Sequence, residues 1–142
     1  MQGQIASQER NWAMAAHLSA LVALAGLPFG HVVGPLIVYL IKAHESEFVA
    51  EHARASLNYQ ITISVLGLVV ILVAAGATLG LIATGATEES VRAGASVGVL
   101  WICVAFATVL VLLLSLIFII AGTVAAGEGR PYSYPFAIRF LR

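Results

Sequence analysis

The groups that could do chemistry are few and gathered. His17, His31, His44 and His52 are the only imidazoles, and positions 44–60 read HESEFVAEHARASLNYQ, a polar island between apolar blocks. Imidazoles beside carboxylates suggest a metal or haem site. His44, Glu47 and Glu51 would share a face of a helix that reached back that far. However, the HExxH pattern of zinc proteases is missing, as are the paired Glu-x-x-His segments of di-iron bundles. A haem reading would rest on His17 and His52, which do not lie deep within two long spans. No Gly-rich phosphate loop, Ser-His-Asp set or pair of catalytic carboxylates can be located. The polar segments are also too short to form a soluble catalytic domain. The chemistry points away from an enzyme, and no cofactor is assigned.

On a helix beginning near Glu47, residues Glu47, Glu51, Arg54, Asn58 and Thr62 fall near one face, and Phe48, His52, Ala55 and Tyr59 form the adjacent stripe. Ser46 suits the N-cap, and Glu47 suits the positive end of the helix dipole. Asn58 and Gln60 already lie inside an apolar block. An amide facing hydrocarbon is costly, so both should turn inward and find partners. His17, five residues after Trp12 on the first helix, would reach a similar depth. The expected result is a polar cluster of His17, Glu51, His52, Arg54, Asn58 and Gln60 that binds a partner or ligand, or ties the helices together.

The elements that must position this cluster are set by composition. The chain has 142 residues, 61% hydrophobic and 10% charged, with mean hydropathy +0.99. Soluble domains carry about 25% charge, so this chain cannot cover a globule in water, and lipid is its solvent. Zero net charge argues against a nucleic-acid interface. Cys103, the one cysteine, cannot form an intrachain disulfide. The first apolar block, Trp12 to Ile41, is too long for a cleaved signal peptide and reads as a retained anchor.

Two further apolar blocks, about Leu57 to Ala83 and Val97 to Ala126, each give roughly 40–45 Å of helix, enough to cross a ~30 Å hydrocarbon core. The first block carries GLPFGHVVGP at its centre. Prolines and glycines at that density break a helix, which predicts a hairpin with a turn near Pro28 to His31 and arms of about Trp12–Leu27 and Val32–Lys42. His31 would sit at that turn, in reach of water. The chain then reads as one all-α integral membrane domain with four helical segments. These are a broken hairpin at 11–42, an interfacial start and span at 47–84, a second span at 93–127, and an interfacial tail at 128–142.

A hairpin collects Arg10, Lys42, Arg54, Arg130, Arg139 and Arg142 on one side and leaves Arg92 on the other. One kinked span in place of the hairpin would split the bases five to two. The six-to-one split favours both termini in the cytoplasm, in a bacterial inner membrane. Gly76 with Gly80, and Gly94 with Gly98, have the spacing of close helix crossings, which would bring the second and third spans together near the 85–92 loop.

The stretches WAMAAHLSAL, PFGHVVGPLIVYLIKAHESEFVAEHARASLNYQITI and IIAGTVAAGEGRPYSYPFAIRFL together resemble a bacterial family of small membrane proteins of unknown function. That family is distantly similar to the Tic-twenty component of the chloroplast import translocon. The resemblance rests on Trp12, His17, Pro35, the run from Phe48 through His52 and Asn58 to Gln60, and Gly127 with Tyr134, Pro135 and Arg139. It implies four helical segments with both termini cytoplasmic, and it supplies no catalytic residue. Three functions stay open. The first is a non-enzymatic protein that binds lipid, itself or a membrane partner. The second is a subunit of an oligomeric channel or translocation element. The third is a haem- or metal-binding membrane protein.

Overall fold

The structure, a computed structural model, describes residues 5–26, 29–83 and 88–142. Among these all regular secondary structure is helical. Helix α1 spans Ser7–Leu18 and passes into a 3-10 segment, Ser19–Ala25. Helices α2 (Gly30–Lys42), α3 (Glu47–Ala83) and α4 (Glu88–Gly127) follow, and residues 128–142 form a non-helical tail. The chain divides into two compact units: residues 1–63 with 115–142, and residues 64–114. Helices α3 and α4 contribute to both.

The first unit holds the polar island. Helix α3 starts where its residues direct. Ser46 Oγ accepts from the Val49 N–H at 3.4 Å and donates to Glu9 Oε1 at 2.6 Å, tying the start of α3 to the first turn of α1. The Ala6 N–H donates to the other Glu9 oxygen at 2.9 Å. The Ser46 hydroxyl, with the Ala6 N–H, holds the Glu9 carboxyl below its ordinary range. Small side chains let α1 lie close to α3. Ala16, Val49 and Ala53 form a buried cluster with Val38 of α2, and Trp12, Ala15 and Tyr39 pack on it.

Helix α2 packs against α1 and the 3-10 segment. The reason is visible at Gly34, where a Cβ would fall within van der Waals contact of the Ser19 carbonyl, and at Gly30, where it would meet the Ala23 backbone. Pro35 sits inside α2 rather than ending it. The expected turn at Pro28–His31 lies partly outside the described residues. His31 itself is in the first turn of α2 and is partly buried.

In the second unit, Val65, Leu66 and every residue from Leu68 to Val73 on α3 are exposed, as is most of α4 from Ile102 to Leu114. A helix that is apolar all round is either a core helix or a membrane span. Here only 6% and 11% of the most apolar windows of α3 and α4 are buried, unlike a core helix of this chain and compatible with two spans. Trp101 Nε1 donates to Thr78 Oγ1 at 2.9 Å within this unit. The expected glycine crossing is not found. A Cβ at Gly76, Gly80 or Gly98 would meet open space, and one at Gly94 only the tip of Leu81 at 3.7 Å. The glycine pair that does meet a neighbour closely is Gly30 with Gly34. Residues 84–87 of the expected polar loop lie outside the described residues. Helix α4 begins at Glu88, earlier than the expected 93, because nothing in ESVRA breaks a helix.

Gly34→Ala is expected to cost about 1–3 kcal/mol, because the added methyl meets backbone that cannot move aside. Gly80→Ala, facing open space, should cost nothing. Thermal unfolding of the two purified variants in the same detergent checks this, and equal melting temperatures would contradict it.

Candidate functional site

The site is built where α4 ends. The Arg130 N–H donates to the Ala125 carbonyl at 2.9 Å and the Gly129 N–H to the Ala126 carbonyl at 3.0 Å, with Gly129 at φ +71°. This is the Schellman closure, which needs a left-handed residue, and glycine adopts that conformation without strain. It reverses the chain and brings the tail back along α4 and α3.

A buried chain of hydrogen bonds then forms. His52 Nε2 lies 3.1 Å from the Arg130 carbonyl oxygen, His52 Nδ1 lies 2.8 Å from His17 Nε2, and His17 Nδ1 lies 2.8 Å from the Tyr134 hydroxyl. Both histidines are buried. The proton positions follow by elimination. A carbonyl only accepts, so His52 Nε2 carries a proton and donates. In a neutral ring His52 Nδ1 must then accept, so His17 Nε2 donates to it. His17 Nδ1 is left as an acceptor, and Tyr134 O–H donates to it. Burial pushes the Tyr134 phenol up, which keeps that proton in place.

Aromatic packing surrounds the chain. Tyr134 stacks on Tyr59 with ring centroids 4.5 Å apart, and Tyr132 meets both Tyr134 and His17 edge to face. The Tyr59 hydroxyl hydrogen-bonds to Ser115 Oγ at 2.8 Å, joining α3 to α4. Gly122 leaves the room. A Cβ there would meet His17 Nδ1 at 2.9 Å and Tyr132 at 3.1 Å.

Beyond a turn at Pro135–Phe136, with Phe136 at φ +62°, the tail runs antiparallel to α3. The Ile138 N–H donates to Thr62 Oγ1 at 2.9 Å. Asn58 Oδ1 accepts from the Phe140 and Leu141 N–H groups at 3.0 and 2.9 Å, and Asn58 Nδ2 donates to the Leu141 carbonyl at 3.0 Å. Arg54 pairs with Glu47 and also approaches the Arg142 carbonyl at 3.5 Å. The tail is an extended peptide whose backbone is read by the side chains of α3.

Of the six residues picked from the sequence, His17, His52 and Asn58 belong to this network. Gln60 is buried on the same part of α3. Arg54 lies at its edge, and Glu51 is exposed and outside it. The sequence reading missed Thr62 as a receptor and missed Tyr132, Tyr134 and the Arg130 carbonyl as partners. The one available signal was YSYP, whose alternation puts two tyrosines on the same side of an extended segment.

Both nitrogens of His17 and both of His52 are engaged in hydrogen bonds. Among the described residues, no group of three or more His, Cys, Asp or Glu is placed to hold a metal ion.

These features define an all-helical integral membrane protein whose polar side chains are directed at its own backbone. The chain belongs to the MamF/MmsF family, a magnetosome magnetite crystal formation protein family, whose sequence model matches residues 8–141. No curated protein and no solved structure matches it. The family match bears out the resemblance to a small bacterial membrane-protein family, and it carries no evidence of kinship to the Tic-twenty component.

Asn58→Leu keeps the branched shape of the side chain but removes three hydrogen bonds, leaving the Leu141 N–H and carbonyl without their partner and the Phe140 N–H with the Ile138 carbonyl alone. It is expected to cost about 2–4 kcal/mol, and Thr62→Val about 1 kcal/mol. Thermal unfolding in detergent tests the order of the two, and a smaller loss for Asn58→Leu than for Thr62→Val would be inconsistent with this geometry.

Proposed function

We propose that this chain is a non-enzymatic structural protein of a bacterial magnetosome membrane that takes part in magnetite crystal formation by assembling with lipid and with other membrane proteins. The observation that carries the reading is the family match, which takes in nearly the whole chain. The geometry supports it from a second direction. His52, Asn58 and Thr62 are engaged in holding the tail, which suits a structural role. Between Ser64 and Leu114, Arg92 and the glutamates at 88 and 89 are the only ionisable residues other than Cys103. A proton or ion pathway needs such groups at the midplane, so transport by a single chain is disfavoured against assembly.

The proposed orientation puts both ends of the chain in the cytoplasm. Six of the seven bases belong to the first unit, and Arg92 alone to the second. The outer side of the tail carries Phe136, 92% exposed, with Ile138 and Phe140 half-exposed beside Arg139 and Arg142. Aromatic and aliphatic side chains flanked by arginines suit the headgroup boundary.

Deleting the gene in a magnetosome-forming bacterium is expected to alter the size or shape of the magnetite crystals while vesicles still form. Reintroducing the wild-type gene should restore them, and Asn58→Leu should restore them only in part although the protein still enters the membrane. Electron microscopy of the crystals, with fractionation of the variant, makes the test. Unaltered crystals in the deletion strain would count against the reading.

A further inference from the structure

The hydrogen-bond chain from Tyr134 through His17 and His52 to the Arg130 carbonyl has a property that a purely apolar contact would lack. Uncharged, it closes in one tautomer of each ring only, and an added proton is accommodated only as an imidazolium sealed from water, with the Tyr134 hydroxyl reversed. We propose that it is an acid-sensitive latch, closed at neutral pH and opened by protonation, that holds residues 130–142 against α3. This inference rests on the network alone and is independent of the role in crystal formation.

The argument is one of donors and acceptors. In the neutral state every nitrogen has its complement. A proton added to His52 puts an N–H at Nδ1, opposite the N–H already on His17 Nε2, with 2.8 Å between the nitrogens. His17 can accept that proton only by moving its own to Nδ1, where it meets the Tyr134 hydroxyl, which must then reverse. A proton added directly to His17 Nδ1 forces the same reversal. A second proton would place two imidazolium rings in contact with no water between them.

Beyond the Arg130 carbonyl, no group nearby offsets that charge. In α3, Glu51 is exposed and Arg54 is turned to Glu47. In α1 the other charged residues are Glu9, held by Ser46 and Ala6, and Arg10, more than a turn from His17 in sequence. Lys42 of α2, which packs on α1, is paired with Glu45. The α4 stretch 115–127 has no ionisable side chain. The tail offers Tyr132 and Tyr134, and Arg130, whose guanidinium is paired with Glu128. Tyr59 contributes a stacked phenol ring. Among the described residues neither His17 nor His52 has a carboxylate partner that would welcome an imidazolium.

The sign follows from linkage. The unlatched state, with its rings in water, binds protons more readily than the latched state, where an imidazolium is buried without a carboxylate, so the latch gains strength as pH rises. It should be lost progressively as pH falls below the free imidazole range near ~6.5. The anchors beyond it, Thr62 and Asn58, do not titrate, and they would be left to hold the tail alone.

The test is a nitroxide spin label at Ser133→Cys, an exposed tail position, in the full-length chain carrying Cys103→Ser, in lipid nanodiscs between pH 8 and pH 5. The label is expected to be immobile at pH 8 and to gain a mobile component on acidification, reversibly. In Tyr134→Phe, which keeps the ring stack and loses the donor to neutral His17, the midpoint should move up by about half to one pH unit. In the double variant His17→Gln, His52→Gln, mobility should not depend on pH. A label whose mobility is the same at pH 8 and pH 5 in the otherwise wild-type chain overturns the latch. So does a pH response that survives in the double variant, or a Tyr134→Phe midpoint equal to that of the parent.

Discussion

A backbone amide or carbonyl removed from water must be given another partner, and beyond the Arg130 N–H the tail has no helix in which to find one. The structure answers with side chains. His52 accounts for the carbonyl of Arg130, Thr62 for the amide of Ile138, and Asn58 for two amides and a carbonyl at Phe140 and Leu141. Only a carboxamide can do what Asn58 does, since it both accepts and donates from one planar group. Aspartate would lack the donor, and leucine would lack both. Once the tail is held, its tyrosines close over His17 and Tyr59, and the N-terminal helix is fixed to the same surface.

This constraint explains the uneven distribution of polarity along α3. Its first four turns carry His52, Ser56, Asn58, Gln60 and Thr62, all buried, while the residues beyond Ser64 are almost wholly apolar and exposed. One helix therefore serves two environments. Its beginning is a receptor for peptide backbone, and its continuation is a hydrocarbon-facing rod. Helix α4 repeats the pattern in reverse. Ser115 and Gly122 make contact with Tyr59 and His17, whereas the preceding residues face outward.

The sequence carried the parts of this fold that depend on composition and local signals. Membrane character followed from the scarcity of charge, and the start of α3 from Ser46 and Glu47. The inward turn of Asn58 and Gln60 was expected from the cost of burying polar groups without partners, with His17 as the candidate to meet them. What it could not carry were the partners themselves. Asn58 was legible as an amide that needed hydrogen bonds, but a bond to the backbone of Leu141 leaves no trace in the identity of Leu141. The glycine pairs misled for a related reason. Gly76 and Gly80 have the spacing of a crossing and face open space, while Gly34 makes its close approach to the Ser19 carbonyl, a backbone atom that every residue possesses. The tail was expected at the membrane interface, because YSYP describes an amphipathic segment equally well whether it faces lipid or its own bundle.

The central claim is that the polar island of α3 is a receptor for the chain's own tail. Residue-resolved amide hydrogen exchange of the full-length chain in micelles at neutral pH tests it most directly. The account predicts strong protection at Ile138, Phe140 and Leu141, on the order of a hundredfold or more over the unfolded rate, with Ser133 and Arg139 exchanging much faster. Uniform exchange near the unfolded rate from 131 to 142 would mean that Asn58 and Thr62 hold nothing, and the account would be wrong.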